Sequence, residues 1–437
     1  MKRTVVITIV LLFFSAIFGT PSSAAAKAGS PCKKASLISV SGGKLYTCVK
    51  SGKKLIWNKG EVISQTLSYD SAPTTATAPT APNKSTTPKT PTTPSSSTDQ
   101  KLPLATNWSV PTKFPTNFEN LFENRAGISY QAWQTISAAM GKNVAKVPPI
   151  EVLVGPNTTP WSTNHEEVVK LVASAFSKQI NPKKLYVVFH NFKDKSWVES
   201  KLKDILPADE YADWLRNDGG VAGNCQDELS DCLGAKIKTS RNNEMGFLLI
   251  GVSNQVGMLE INGSKYGNIG VEEQNKKGML VAHEFIHILQ FGPVAVRNSN
   301  NLPPAWIREG TATLFQNTAV NSSSYQDYMN YRKKGLGEYI ERQGIQEDFV
   351  VNYLNQKNWI ADPWRGGQSI DWQYQLGARI MEIMVALEGP DSVLEIYDLM
   401  SQNKGFEESF KLAFGISYED AVPLIAKTLA ANWKAGL

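Results

Sequence analysis

Two histidines four residues apart, with a glutamate directly after the first, stand at His283-Glu284-Phe285-Ile286-His287. On a helix, residues i and i+4 lie one above the other, so both imidazoles can turn a ring nitrogen toward one metal ion. The carboxylate beside them can take a proton from a water held by that ion. The chain has only four histidines in 437 residues, and the pair uses two of them. A catalytic zinc takes three protein ligands and leaves a fourth position for water. The candidate for the third is Glu309, in Pro303-Pro304-Ala305-Trp306-Ile307-Arg308-Glu309-Gly310-Thr311-Ala312.

These residues need two helices brought side by side. Met279, Ala282, Ile286 and Leu289 fall on one apolar stripe, with His283 and His287 stacked beside it. Gly292-Pro293 predicts the end of that helix, with Gly as a left-handed cap and Pro blocking continuation. Residues 292–301 give the chain room to turn back. Pro304 suits the first turn of a second helix, and Gly310 and Ala312 are small enough to let it lie against the first. Upstream, Ile150–Val154, Leu185–His190 and Met245–Ser253 read as strands. His165–Ser177 reads as a helix burying Val168, Leu171, Val172 and Phe176. After Val271 the pattern is mainly helical. Strands first and helices later predict an α+β fold. His165 opens a helix and His190 ends a strand, which makes both non-catalytic.

The two motifs together resemble the gluzincins, the thermolysin-like and aminopeptidase-like branch of zinc peptidases. The short Trp306-Ile307-Arg308-Glu309-Gly310 motif is most similar to the peptidase MA-like group. The likeness is closest from Gly278 to Phe315, looser from there to the end, and slight before it. The resemblance implies a zincin-like domain with a small N-terminal sheet subdomain and a helical C-terminal subdomain. It implies His283, His287 and Glu309 as ligands of one Zn2+ per chain and Glu284 as the base. Tyr374, in Tyr374-Gln375-Leu376-Gly377, matches a tyrosine that donates to the oxyanion. The segments Phe406-Glu407-Glu408-Ser409-Phe410 and Phe414-Gly415-Ile416-Ser417 are similar to the closing helices of these proteins. The implied activity is hydrolysis of a protein or peptide substrate, laid as an extended strand along Met245–Ser253. Thr313 stands where thermolysin-like enzymes carry an aspartate that orients a histidine, so the outer partners of the ligands are unassigned. The third-histidine spacing of metzincins is absent, and no motif grips a substrate amino terminus. Two other readings stay open: hydrolysis of a non-peptide amide, and an inactive zincin-fold protein that binds cell wall or polyanion.

The front of the chain is built differently. Lys2 and Arg3 precede an apolar run from Val5 to Phe18, and small residues follow at 22–26, which reads as a secretory signal peptide over residues 1–26. No later stretch reads as long and apolar enough to cross a bilayer, so a secreted or wall-associated product is expected. Export makes disulfides the default for the four cysteines, paired locally as Cys32/Cys48 and Cys225/Cys232. Residues 31–62 read as a small basic module with a hairpin around Ser51-Gly52, too small to hold without a bridge. It resembles short Cys/Gly/Trp modules that precede unrelated domains in exported proteins. Its lysines around Tyr46 and Trp57 suit either an anionic polymer or a plain solvated spacer. Residues 66–104 are Thr, Pro, Ser and Ala-rich, a tether without a core, and the catalytic domain spans 105–437. Residues 101–149 could cover the cleft, although nothing in them marks an inhibitory segment. Residues 1–100 carry 12 Lys/Arg against 3 Asp/Glu, or +9, which leaves −4 of the net +5 for the remainder. No specific nucleic-acid partner follows from that distribution. Asp227, Glu228 and Asp231 could hold calcium, but they lack EF-hand spacing and read as an exposed acidic loop.

Overall fold

A computed structural model describes residues 27–32, 38–41, 44–52, 54–59 and 61–62 of a first unit, which ends at Pro94. Of the second unit it describes 108–143, 147–161, 164–218, 235–252, 259–261, 264–266, 276–334, 340, 344–355 and 372–437. The expected signal peptide, tether, Cys225/Cys232 pair and acidic loop lie outside the described residues.

In the first unit, β1 (Ile38–Ser41), β2 (Lys44–Ser51), β3 (Lys54–Trp57) and β4 (Glu61–Val62) form one antiparallel sheet around β2. Ser51 pairs with Lys54, and Gly52, which follows Ser51, has φ +60°. Only a residue without a Cβ takes that angle cheaply. The Cys32–Cys48 disulfide is present, and Trp57 is buried against it. That tryptophan is core rather than a ligand platform. Lys50, Lys54 and Lys59 are exposed.

The second unit opens with α1 (Ile128–Ala139), then β5 (Ile150–Val154), α2 (His165–Ser174), β6 (Lys184–His190), α3 (Lys195–Ile205) and α4 (Ala208–Asp218). β7 (Ala235–Thr239), β8 (Met245–Gly251) and the short hairpin β9 (Leu259–Ile261) and β10 (Ser264–Tyr266) follow. The main sheet has the order β5-β6-β8-β7, parallel except for antiparallel β7. β6 and β8 are nearly continuous apolar runs because both faces are covered. Leu185, Val187, Phe189, Leu248 and Ile250 point into the main core, whereas Tyr186, Val188, Phe247 and Leu249 meet Val198, Leu202 and Trp214 of α3 and α4. β8 is therefore paired on both sides, which overturns its expected use as a free substrate edge. Among the described residues the end strands of this sheet are β5 and β7.

The remainder is helical: α5 (Met279–Arg297), α6 (Ala305–Val320), α7 (Tyr325–Lys334), α8 (Glu347–Leu354), α9 (Gly377–Glu388), α10 (Ser392–Ser401), α11 (Phe406–Phe414) and α12 (Tyr418–Lys434). A single π-helical turn, Trp372–Leu376, leads into α9. The architecture is mixed α+β, as the order of elements predicts. α1 packs on α9 and contributes Ile128, Ala132 and Ile136 to the main core. The described part of residues 101–149 is thus structural. Trp133 donates to the Asn321 carbonyl and Gln131 to the Ala386 carbonyl.

α5 departs from expectation in two ways. It runs through Pro293 to Arg297, and the left-handed conformation of Asn298 (φ 49°) turns the chain so that the Ser299 N–H also reaches the Val294 carbonyl, at 3.1 Å. Gly292 is no cap. A Cβ there would lie 2.3 Å from the Ile180 carbonyl oxygen, so the glycine marks a close approach to the segment before β6. The helix is also buried on every side from Val281 to Gln290, not along one stripe, because β7, β8, α2, α6 and α10 all pack on it. By length and composition it could cross a bilayer, contrary to the sequence reading, yet 78% of its apolar window is buried inside the fold. It is a core helix.

Candidate metal centre

α5 and α6 bring the three predicted ligands to one point. His283 and His287 stand one turn apart with Nε2 atoms 3.2 Å from each other. Glu309 Oε2 lies 3.2 Å from His287 Nε2 and 3.5 Å from His283 Nε2. All three residues are buried, and they are the one group of His, Cys, Asp or Glu among the described residues with metal-holding geometry. Ligand atoms about 2.0–2.1 Å from a tetrahedral first-row ion are separated by roughly 3.3–3.4 Å, which these three edges match. Glu309 Oε2 accepts no hydrogen bond although it is buried, an atom left open toward the shared point. The residues fit a metal ion.

The surrounding groups aim these donors. Gln290, one turn beyond His287 on α5, links His287 Nδ1 (2.7 Å, through Oε1) to the Arg308 carbonyl (3.0 Å, through Nε2). A carbonyl can only accept, so the Gln290 amide nitrogen must face Arg308 and its oxygen must face His287. His287 Nδ1 therefore carries the proton, and Nε2 presents its lone pair to the centre. Arg308 Nε donates to Glu309 Oε1 at 2.9 Å, occupying one carboxylate oxygen and leaving Oε2 free. Neither Gln290 nor Arg308 was singled out from sequence. Gln290 sits at i+3 from a ligand, and Arg308 adjoins another, but neither spacing distinguishes them from ordinary helix residues. Thr313, where an orienting aspartate stands in thermolysin-like enzymes, leaves its hydroxyl without a partner.

Glu284 sits in the same buried layer, 8% exposed. Burial raises its pKa above the ordinary carboxylate value against the opposing charges of His283 and His287. For Glu309, burial also pushes upward, but His287 and His283 outweigh it and hold the carboxyl well below its usual value. Burial disfavours the charged form of His287, and Glu309 overcomes it, so that pKa moves up. Tyr374 arrives from the π-helical turn. Its ring stacks on His283 (centroids 5.6 Å apart, planes 11° apart). Burial first, then the charge of Glu309, pushes its phenol pKa well above the ordinary value, so it is a neutral donor at physiological pH. Every sequence-predicted site residue is thus in one place.

The second helix is positioned by a different contact from the one expected. Gly310 does not face α5. A Cβ there would lie 2.3 Å from the backbone of Gly377, and one on Gly377 would lie 2.5 Å from the Trp306 carbonyl oxygen. The glycine pair lets α6 and the start of α9 touch backbone to backbone, which brings Tyr374 alongside Glu309. His165 packs on Phe189, away from the ligand group, and His190 is buried at the end of β6. Comparison of the chain with protein-family models, with curated proteins and with solved structures finds no match.

Proposed function

We propose that the chain is an exported zinc-dependent peptidase of the gluzincin type. The observation that carries this reading is the convergence of His283 Nε2, His287 Nε2 and Glu309 Oε2, with the Glu284 carboxylate and Tyr374 phenol against them. Two imidazoles and a carboxylate form a donor set used by catalytic zinc. Zinc held there supplies a Lewis acid that polarises a carbonyl and acidifies a water. Glu284, raised by its buried setting, takes the proton of the attacking water and returns it to the leaving amine. The Tyr374 hydroxyl donates a hydrogen bond to the oxygen on which negative charge develops. Gln290 and Arg308 hold His287 and Glu309 in place throughout. The Cys32–Cys48 disulfide is consistent with an oxidising destination.

A peptide-library digest with metal analysis tests the reading. Glu284→Gln is expected to keep one metal per chain and lose at least about a hundredfold in turnover. Undiminished hydrolysis by that variant refutes the base assignment. Glu309→Ala is expected to lose the metal; full metal content would put the third ligand elsewhere.

A further inference from the structure

One turn along α6 from Glu309, Thr313 lines a small cavity together with Arg332, Gln375, Arg379 and Glu382. It has room for about one water-sized particle. The charges around it do not balance. Glu382 is paired with Arg332, which donates to both its oxygens (2.6 and 2.8 Å), and the Tyr328 hydroxyl adds a third bond at 2.6 Å. That leaves Arg379, only 4% exposed, without a carboxylate partner among the described residues. Its guanidinium reaches the backbone carbonyls of Gln375 and Arg332 at 3.3 and 3.5 Å, long for hydrogen bonds, and its Nε has no partner. The hydroxyl of Thr313, which lines the same cavity, is likewise buried and unpartnered.

We propose that this cavity is a halide site, in which a chloride ion is held by the Arg379 guanidinium and the Thr313 hydroxyl. A buried cation without a counter-charge is strongly unfavourable, and water can meet its hydrogen bonds but not its charge. Burial and the neighbouring Arg332 push the Arg379 pKa down to about 9, a sign of that imbalance that still leaves the group charged at neutral pH. The size of the cavity selects a monatomic anion over a carboxylate or phosphate. Thr313 lies one turn from Glu309, and Gln375 follows Tyr374 in the π-helical turn, so the ion ties together the two elements that flank the metal centre. The site stands whether or not that centre hydrolyses peptides.

Thermal unfolding of the full chain in sodium chloride and in sodium gluconate at equal ionic strength tests this. Chloride is expected to raise the midpoint with the logarithm of its concentration above the dissociation constant, on the order of 2–3 °C at ten times that constant. Arg379→Met should abolish the chloride-specific rise while remaining at least as stable as the parent in gluconate, and Thr313→Val should weaken the rise. A bromide-soaked crystal of the parent should show an anomalous peak within hydrogen-bonding distance of Arg379. Equal midpoints in the two salts overturn the site, as does a chloride-specific rise that survives in both variants. If Arg379→Met fails to fold, Thr313→Val and the bromide peak decide. A water in place of bromide overturns it.

Discussion

The chain of contacts from His287 through Gln290 to the Arg308 carbonyl determines which nitrogen of the imidazole is free to bind a metal. Replacing Gln290 with Leu keeps the volume and removes both hydrogen bonds. Metal affinity is expected to fall by about 10–100-fold, measured by competition with a chromophoric chelator. Unchanged affinity would mean that something other than Gln290 sets the tautomer. Gln290→Glu should recover only part of the affinity, because it still offers an acceptor to Nδ1 but sets its other oxygen against the Arg308 carbonyl. The donors themselves were legible in the sequence, since metal ligation admits few side-chain types and the i, i+4 spacing is dictated by helix geometry. The supporting shell was not. Many polar side chains can support an imidazole, and which one reaches it depends on how two helices cross.

At the scale of elements, the Gly310–Gly377 contact decides whether α6 and α9 can approach closely enough for Tyr374 to meet Glu309. Gly377→Ala places a Cβ 2.5 Å from a backbone oxygen that cannot rotate away. The expected cost is about 1–3 kcal/mol, read as a lower urea midpoint, with a loss of turnover as Tyr374 is displaced. Gly405→Ala is the control, because no atom lies within 4 Å of a Cβ there and its φ of −67° suits any residue. A similar loss in both variants would deny the contact a special role. The elements differ in how readable they were. β6 and β8 announce themselves as apolar runs. The Lys236/Ile237/Lys238 alternation of β7 is too short to stand out, although β7 packs beside α5. Gly292-Pro293 has the signature of a helix stop, but both residues are buried against neighbouring elements and α5 continues for one further turn, to Arg297. A local preference yields where tertiary contacts are dense.

For the molecule as a whole, the cores are separate. The cluster of Cys32, Cys48, Leu55 and Trp57 shares no residue with the clusters of the second unit. A chain lacking residues 31–62 should therefore retain the metal binding and hydrolysis proposed above and its main unfolding midpoint, measured by calorimetry against the full chain. Loss of hydrolysis would assign the activity to the module instead. Cys48→Ser should remove about 3 kcal/mol from the module alone, seen as faster amide exchange over 44–57. The sequence by itself determined the ligand types, the pairing of motifs, the Cys32–Cys48 bridge and the α+β order, because each is dictated by local spacing or elementary side-chain chemistry. Only the tertiary structure decided the burial of α5 on all sides, the interior place of β8, the aiming of His287 by Gln290 and the uncompensated charge of Arg379. Those depend on which residues distant in the chain become neighbours, and no local pattern carries that information.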